Sequence, residues 1–157
     1  MQKTLLVGYG TLIYKAYHYK GIKKLGICIV NNYVRIFHEK ICTWYPFVLP
    51  KKGHKFKGLL LEIFNEYTLA EIDRYEGVPD LYTREKCVVN FNGKLLTAWI
   101  YVPTTEKQKE LKNNINMVIE TERKKIFQED LWLKYLARNY PQLKKEFPEL
   151  FQPIKIQ

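Results

Sequence analysis

The chain has 157 residues, 46% hydrophobic and 27% charged, enough for one globular domain with a sizeable core. With only 8 Gly and 7 Pro it is neither collagen-like nor disordered. Its 26 Lys and Arg against 16 Asp and Glu leave a net charge of +10, which attracts anions without saying which. The first predicted element is a strand over residues 4–7, followed at once by Gly8-Tyr9-Gly10-Thr11-Leu12. Two glycines around a tyrosine permit a sharp bend and a close approach of backbone to a ligand, and exposed amides in such a bend suit a carboxylate or phosphate. No Gly-Lys-Ser/Thr follows, so the segment is not a P-loop, and it is not G-x-G-x-x-G either.

Further β-prone runs occupy residues 25–30, 33–37, 56–63, 85–91 and 95–101. Asn31-Asn32 and Asn92-Gly93 read as hairpin turns, the second a strong type I′ signal. Lys51-Lys52-Gly53-His54-Lys55-Phe56-Lys57 is the densest basic cluster and reads as a solvated hairpin loop. One helix interrupts the strands. Thr68 with Glu71 forms a capping box, residues 69–76 carry an apolar stripe, and Gly77 supplies the stop. In that helix Ile72 and Tyr75 are expected to face the core. Asp73 and Glu76 are i,i+3 neighbours, with Glu76 in the last turn, where the helix dipole is negative. Burial there, or the Asp73 charge, pushes a carboxylate toward its neutral form and makes it a better proton acceptor near neutrality.

After residue 105 the pattern becomes helical. Leu111, Ile115, Val118, Ile119 and Ile126 make one stripe; Leu131, Trp132, Tyr135 and Leu136 make a second, stopped by Pro141. The expected organisation is therefore a β-rich unit over residues 1–105 and a helical C-terminal extension over residues 106–157, packed on it. Trp44, Trp99 and Trp132 are expected to anchor the core or the docking face of the tail, Trp44 being also a candidate for a pocket wall. Cys28, Cys42 and Cys87 lack zinc spacing and read as small buried hydrophobes. His18, His38 and His54 have no ligand spacing, so no metal site is expected. No apolar run approaches a membrane span and no secretory leader is read at the start, so a reduced, cytoplasmic protein is expected.

Taken together, two segments resemble the gamma-glutamylcyclotransferase-like family: Tyr9-Gly10-Thr11-Leu12 after the first strand, and Asp73-Arg74-Tyr75-Glu76-Gly77 followed by Tyr82-Thr83-Arg84. Tyr45-Pro46, Lys57-Gly58 and Ala98-Trp99-Ile100-Tyr101 match further landmarks, and the resemblance covers about residues 4–103. It implies an α+β fold, a small mixed β-barrel with flanking helices. It also implies release of an amine from a gamma-glutamyl compound, leaving 5-oxoproline, with no cofactor and no metal. By the same resemblance Tyr9, Gly10, Thr11 and Leu12 cradle the substrate, Glu76 is the acid/base, Tyr82 lines the pocket and Arg84 braces it. Thr11 looks like the gamma-glutamylamine branch, whereas Ile13-Tyr14-Lys15 lacks the Trp-rich extension of the glutathione-specific branch.

The expected partner is a small gamma-glutamyl substrate, with no nucleic acid and no membrane; the oligomeric state and the leaving amine are not readable. Two readings of another class stand beside this one. The same barrel can bind a small anion or a gamma-glutamyl group without turnover, and the +10 charge with 15% aromatics also suits a nucleic-acid binder, though no recognised motif for one is present.

Overall fold

The computed structural model describes residues 3–38 and 40–154, the side chains of residues 17 and 42–44 excepted. The expectations for Cys42 and for Trp44 as a pocket wall fall on side chains outside those described. Five strands close into a barrel in the order β1-β3-β2-β4-β5. They are β1 (Thr4–Gly8), β2 (Ile22–His38), β3 (Cys42–Ile63), β4 (Tyr82–Phe91) and β5 (Lys94–Pro103). Neighbours pair antiparallel except β1 and β5, which meet in parallel at Leu6 and Trp99. The chain is thus α+β with a mixed barrel. Asn92 and Gly93 both take positive φ, 52° and 79°, as the turn between β4 and β5 requires.

Two local readings need correction. Asn31-Asn32 does not turn the chain, because β2 continues through it for 17 residues. Asn32 (φ 65°) sits in a bulge where the register jumps from Asn31 opposite Lys55 to Tyr33 opposite Pro50, and its Oδ1 accepts from the Gly53 amide at 3.1 Å. Asparagine tolerates left-handed backbone whether the chain reverses or merely bulges, so the local signal is the same in both cases. The basic run at 51–57 is likewise not a hairpin loop but part of β3, a strand of 22 residues. The first half of β3 carries no alternating strand signal because Phe47, Val48 and Leu49 are all buried.

The helices are α1 (Leu12–Lys15), α2 (Glu66–Glu76), α3 (Thr105–Asn116), α4 (Glu120–Gln128), α5 (Leu131–Asn139) and α6 (Gln142–Glu146). α2 begins earlier than the capping box implies. Asn65 is its cap, accepting from the Tyr67 amide at 2.9 Å, while Thr68 is buried inside the helix and donates its hydroxyl to the Lys20 carbonyl. Its end matches expectation, with Gly77 in the left-handed region at φ 72°. The first tail stripe is divided between α3 and α4, and Ile119 is exposed at the break.

The core has two parts. The larger fills the barrel with Leu6, Leu59, Leu61, Ile72 and Ile100, and Trp132, Leu136, Leu143 and Leu150 of the tail belong to it. The smaller lies on the part of the β2–β3 ribbon carrying Val34, Ile36, Phe47 and Leu49, which Leu111, Ile115, Val118 and Ile126 cover. Cys28 and Cys87 are buried in the larger part, where desolvation pushes both thiols up to about 12. Among the described residues no helix is long and apolar enough to cross a membrane, and no group of His, Cys, Asp and Glu is set to hold a metal ion.

Candidate active site

β1 delivers the chain to the glycine bend, and α1 carries it away. Ile13 N donates to Gly10 O at 3.1 Å, and Tyr14 N and Lys15 N donate to Thr11 O at 3.2 and 2.9 Å. Among the described residues no acceptor takes up the amides of Gly10, Thr11 or Leu12. Glycine is required at position 10 by close approach. A Cβ there would stand 2.9 Å from Pro46 Cγ and 3.1 Å from Pro46 Cδ, and a proline ring held in a strand has little room to yield.

The bend opens into a cavity of about 210 Å³. Tyr9, Gly10, Thr11, Leu12, Glu76 and Tyr82 all line it, so the six residues singled out in the sequence meet in one hollow. Its size suits an amino-acid-sized polar group better than a drug-sized ligand, whose pockets start at roughly 300 Å³. Tyr45 and Pro46 of β3 close one side, and Tyr75 and Leu81 are residues the sequence did not place there. Tyr75 was expected in the core; instead it is 47% exposed, and Lys15 Nζ donates to its hydroxyl at 2.8 Å while lying 4.5 Å from the ring centre. Its hydroxyl also lies 3.4 Å from Thr11 Oγ1, tying the rim of α2 to the bend.

Glu76 closes α2 with its carboxylate partly buried at this cavity. Loss of hydration is the main cause that pushes its carboxyl up to about 7; the Asp73 charge adds to the rise and Lys15 opposes it. Among the described residues no hydrogen bond or ion pair reaches this carboxylate. Asp73, three residues earlier, is its opposite. Arg84 grips it with Nε at 2.9 Å and Nη2 at 3.1 Å, and the Tyr101 hydroxyl donates to it at 2.6 Å. The same helix therefore carries one acid fixed in a network and one left available for proton transfer.

Tyr9 is held at two points. Its buried hydroxyl donates to Tyr101 O at 2.9 Å, and its carbonyl accepts from Arg35 Nη1 at 2.9 Å. Its phenol is thus not free to donate to a ligand, and burial raises its pKa well above the ordinary value. Tyr82, 6% exposed, begins β4 and contributes its ring to the cavity. Arg35 carries no functional signal in the sequence because it stands inside a β-prone run, where alternation alone gives no sign of a buried cation.

The family model for gamma-glutamyl cyclotransferase, AIG2-like, matches residues 6–122. The chain belongs to that family. Solved structures agree on the fold. A structure titled gamma-glutamyl cyclotransferase is 15% identical, with a TM-score of 0.55, over 80% of this chain and 86% of that one. An AIG2-like protein from Mus musculus is 22% identical, with a TM-score of 0.53, over 67% and 80%. A solution structure from Arabidopsis thaliana is 16% identical, with a TM-score of 0.59, over 93% and 85%. No curated protein matches the chain in sequence.

Proposed function

We propose that this cyclotransferase-family protein converts a gamma-glutamyl compound into 5-oxoproline and a free amine, with Glu76 as the general acid/base. The observation that carries the reading is the shared cavity, in which an unpaired carboxyl pushed up to about 7 faces the same hollow as the glycine bend. The free amides of Gly10, Thr11 and Leu12 receive the substrate's α-carboxylate, and Tyr82 forms part of the wall against its chain. The substrate's α-ammonium gives a proton to Glu76, and the freed amine attacks the γ-carbonyl carbon. As the five-membered ring closes and the amide C–N bond breaks, the leaving nitrogen takes that proton from Glu76, and the ring nitrogen's second proton passes to the carboxylate so freed and from there to the departing amine or solvent.

The nucleophile is the substrate's own, so the protein's main task is to hold the glutamyl chain folded. Well-oriented internal nucleophiles reach effective molarities of roughly 10⁵–10⁸ M. A carboxyl titrating near 7 suits the remaining task, because both of its forms are populated at neutral pH. Cys28 and Cys87, both free thiols, support a reducing compartment such as the cytoplasm as the place of action.

The test is a screen of gamma-glutamyl-amino acids, gamma-glutamyl-ε-lysine and glutathione for 5-oxoproline, run on the native protein and on Glu76→Gln. The native protein is expected to turn over at least one of the first two classes. The variant is expected to lose roughly 10²–10⁴-fold in kcat while retaining binding. Full activity in Glu76→Gln removes that residue from the chemistry, and binding without 5-oxoproline in the native protein favours a non-catalytic module.

A further inference from the structure

Arg35 is a buried cation that the reaction just described does not use, 4% exposed near the C-terminal end of β2. Its guanidinium reaches in two directions. Nη1 donates to the Tyr9 carbonyl at 2.9 Å, and Nε donates to both carboxylate oxygens of Asp130 at 3.2 Å, with Nη2 completing the fork. The face of the group lies 4.7 Å from the Phe56 ring centre. Asp130 in turn accepts from the Leu133 amide at 3.3 Å and so caps α5, whose Trp132 and Leu136 are fully buried in the barrel core.

A peptide unit is planar and trans, so its carbonyl and the next residue's amide point in opposite directions. Fixing the Tyr9 carbonyl on Arg35 therefore turns the Gly10 N–H away from Arg35, and Gly10 lines the cavity. We propose that Arg35 and Asp130 are positioning residues of the site, a clamp through which helix α5 sets the direction of the Gly10 amide that receives substrate. The inference rests on the cyclotransferase reading for the identity of that substrate, but the clamp itself is a statement about the bend. The family match ends at residue 122, short of Asp130, so the tail supplies the site with a contact from outside the matched region. Arginine suits this place because its planar fork engages a carboxylate in bidentate fashion while a further N–H reaches a carbonyl, a fixed geometry that the compact ammonium of lysine does not offer.

Two substitutions at Asp130 separate the clamp from the cap. Asp130→Asn keeps the cap and one acceptor toward Arg35; Asp130→Ser keeps a cap acceptor but loses the reach. The expected result is a graded rise in KM for the best gamma-glutamyl substrate, small for Asn and roughly tenfold or more for Ser. A misplacement of about 1 Å at a reacting site costs on the order of 10²-fold. Amide exchange, read by NMR on the same proteins without substrate, is expected to quicken roughly tenfold at Ile13 and Lys15, whose amides are bonded to the Gly10 and Thr11 carbonyls of the bend, in Asp130→Ser and to stay unchanged in β3. A residue serving stability alone lowers the melting temperature but leaves KM well below it, and the exchange of these two amides, as in the native protein; that result overturns the clamp. If the native protein makes no 5-oxoproline, the cyclotransferase reading fails while the exchange data still decide the clamp. If it is active and the Asp130 series matches it in KM and exchange, the clamp fails and the reading stands.

Discussion

Two hollows among the described residues differ in kind, and the larger of the two is not where the chemistry is proposed. A cleft of about 400 Å³ lies between β2, α4 and α5, against about 210 Å³ at the glycine bend. Much of the charge at the larger cleft is already paired: Lys134 with Glu129 at 2.7 Å, and Glu122 with Lys40 at 3.4 Å and with His38 at 3.6 Å. At the smaller one the carboxylate of Glu76 is desolvated with no hydrogen bond or ion pair to it among the described residues, and its proton affinity has risen. What separates the two is the state of their charged groups. Paired ions in a water-facing cleft are already neutralised by one another, whereas an unpaired acid at the edge of a core is poised to exchange protons.

After Glu76→Gln, the comparison breaks most sharply at Gly10. Gly10→Ala drives a methyl group to 2.9 Å from the Pro46 ring and is expected to lower kcat/KM roughly 10²-fold by shifting the bend. Its stability cost, read by denaturant titration, is about 1–3 kcal/mol, the usual penalty for overpacking.

Glu76 is expected to act on stability as well as on rate. Its folded pKa of about 7 lies above the ordinary 4.5, so between these pH values the folded state holds a proton that the unfolded state has lost. Stability conferred by the protonated form is present at low pH and is lost as pH rises through about 7. Glu76→Gln removes this dependence, and above pH 7 the variant is expected to be more stable than the native protein by roughly 1–3 kcal/mol. In the native protein kcat/KM is expected to rise with pH through the same region as the base form appears, and a flat profile contradicts the assignment.

Lys15 offers a finer probe. It lowers the Glu76 pKa, so Lys15→Met is expected to move the pH midpoint of kcat/KM upward and to change the rate at pH 7 less than about threefold. A downward shift rejects the placement of that charge beside Glu76. The smallest effect belongs to the other cleft. Lys134→Ala breaks an exposed pair and is expected to change stability by less than about 1 kcal/mol and kinetics not at all. A marked loss of turnover there means that the larger cleft takes part in the reaction.

The elements legible in the sequence were those whose signal is local. The end of α2 at Gly77, the turn at Asn92-Gly93 and the bend at Gly8-Tyr9-Gly10 each depend on residues within a few positions of one another. Asn32 misled because one backbone conformation serves both a reversal and a bulge, and which is formed depends on what β3 presents opposite it. Tyr75 misled because helical spacing puts it near Ile72, while the partner that draws it outward is Lys15, 60 positions away. Arg35 and Asp130, 95 positions apart, left no trace in either neighbourhood.

The sequence by itself determined the strand and helix types over most of the chain, the glycine bend after the first strand, and an acid at the last turn of a helix. Whether that acid is hydrated or dry, paired like Asp73 or unpaired like Glu76, is a property of the groups around it, and those come from four separate stretches of chain. Desolvation and ion pairing act through space over a few ångströms, so only the closed barrel and its docked tail decided which carboxylate keeps its proton near neutral pH.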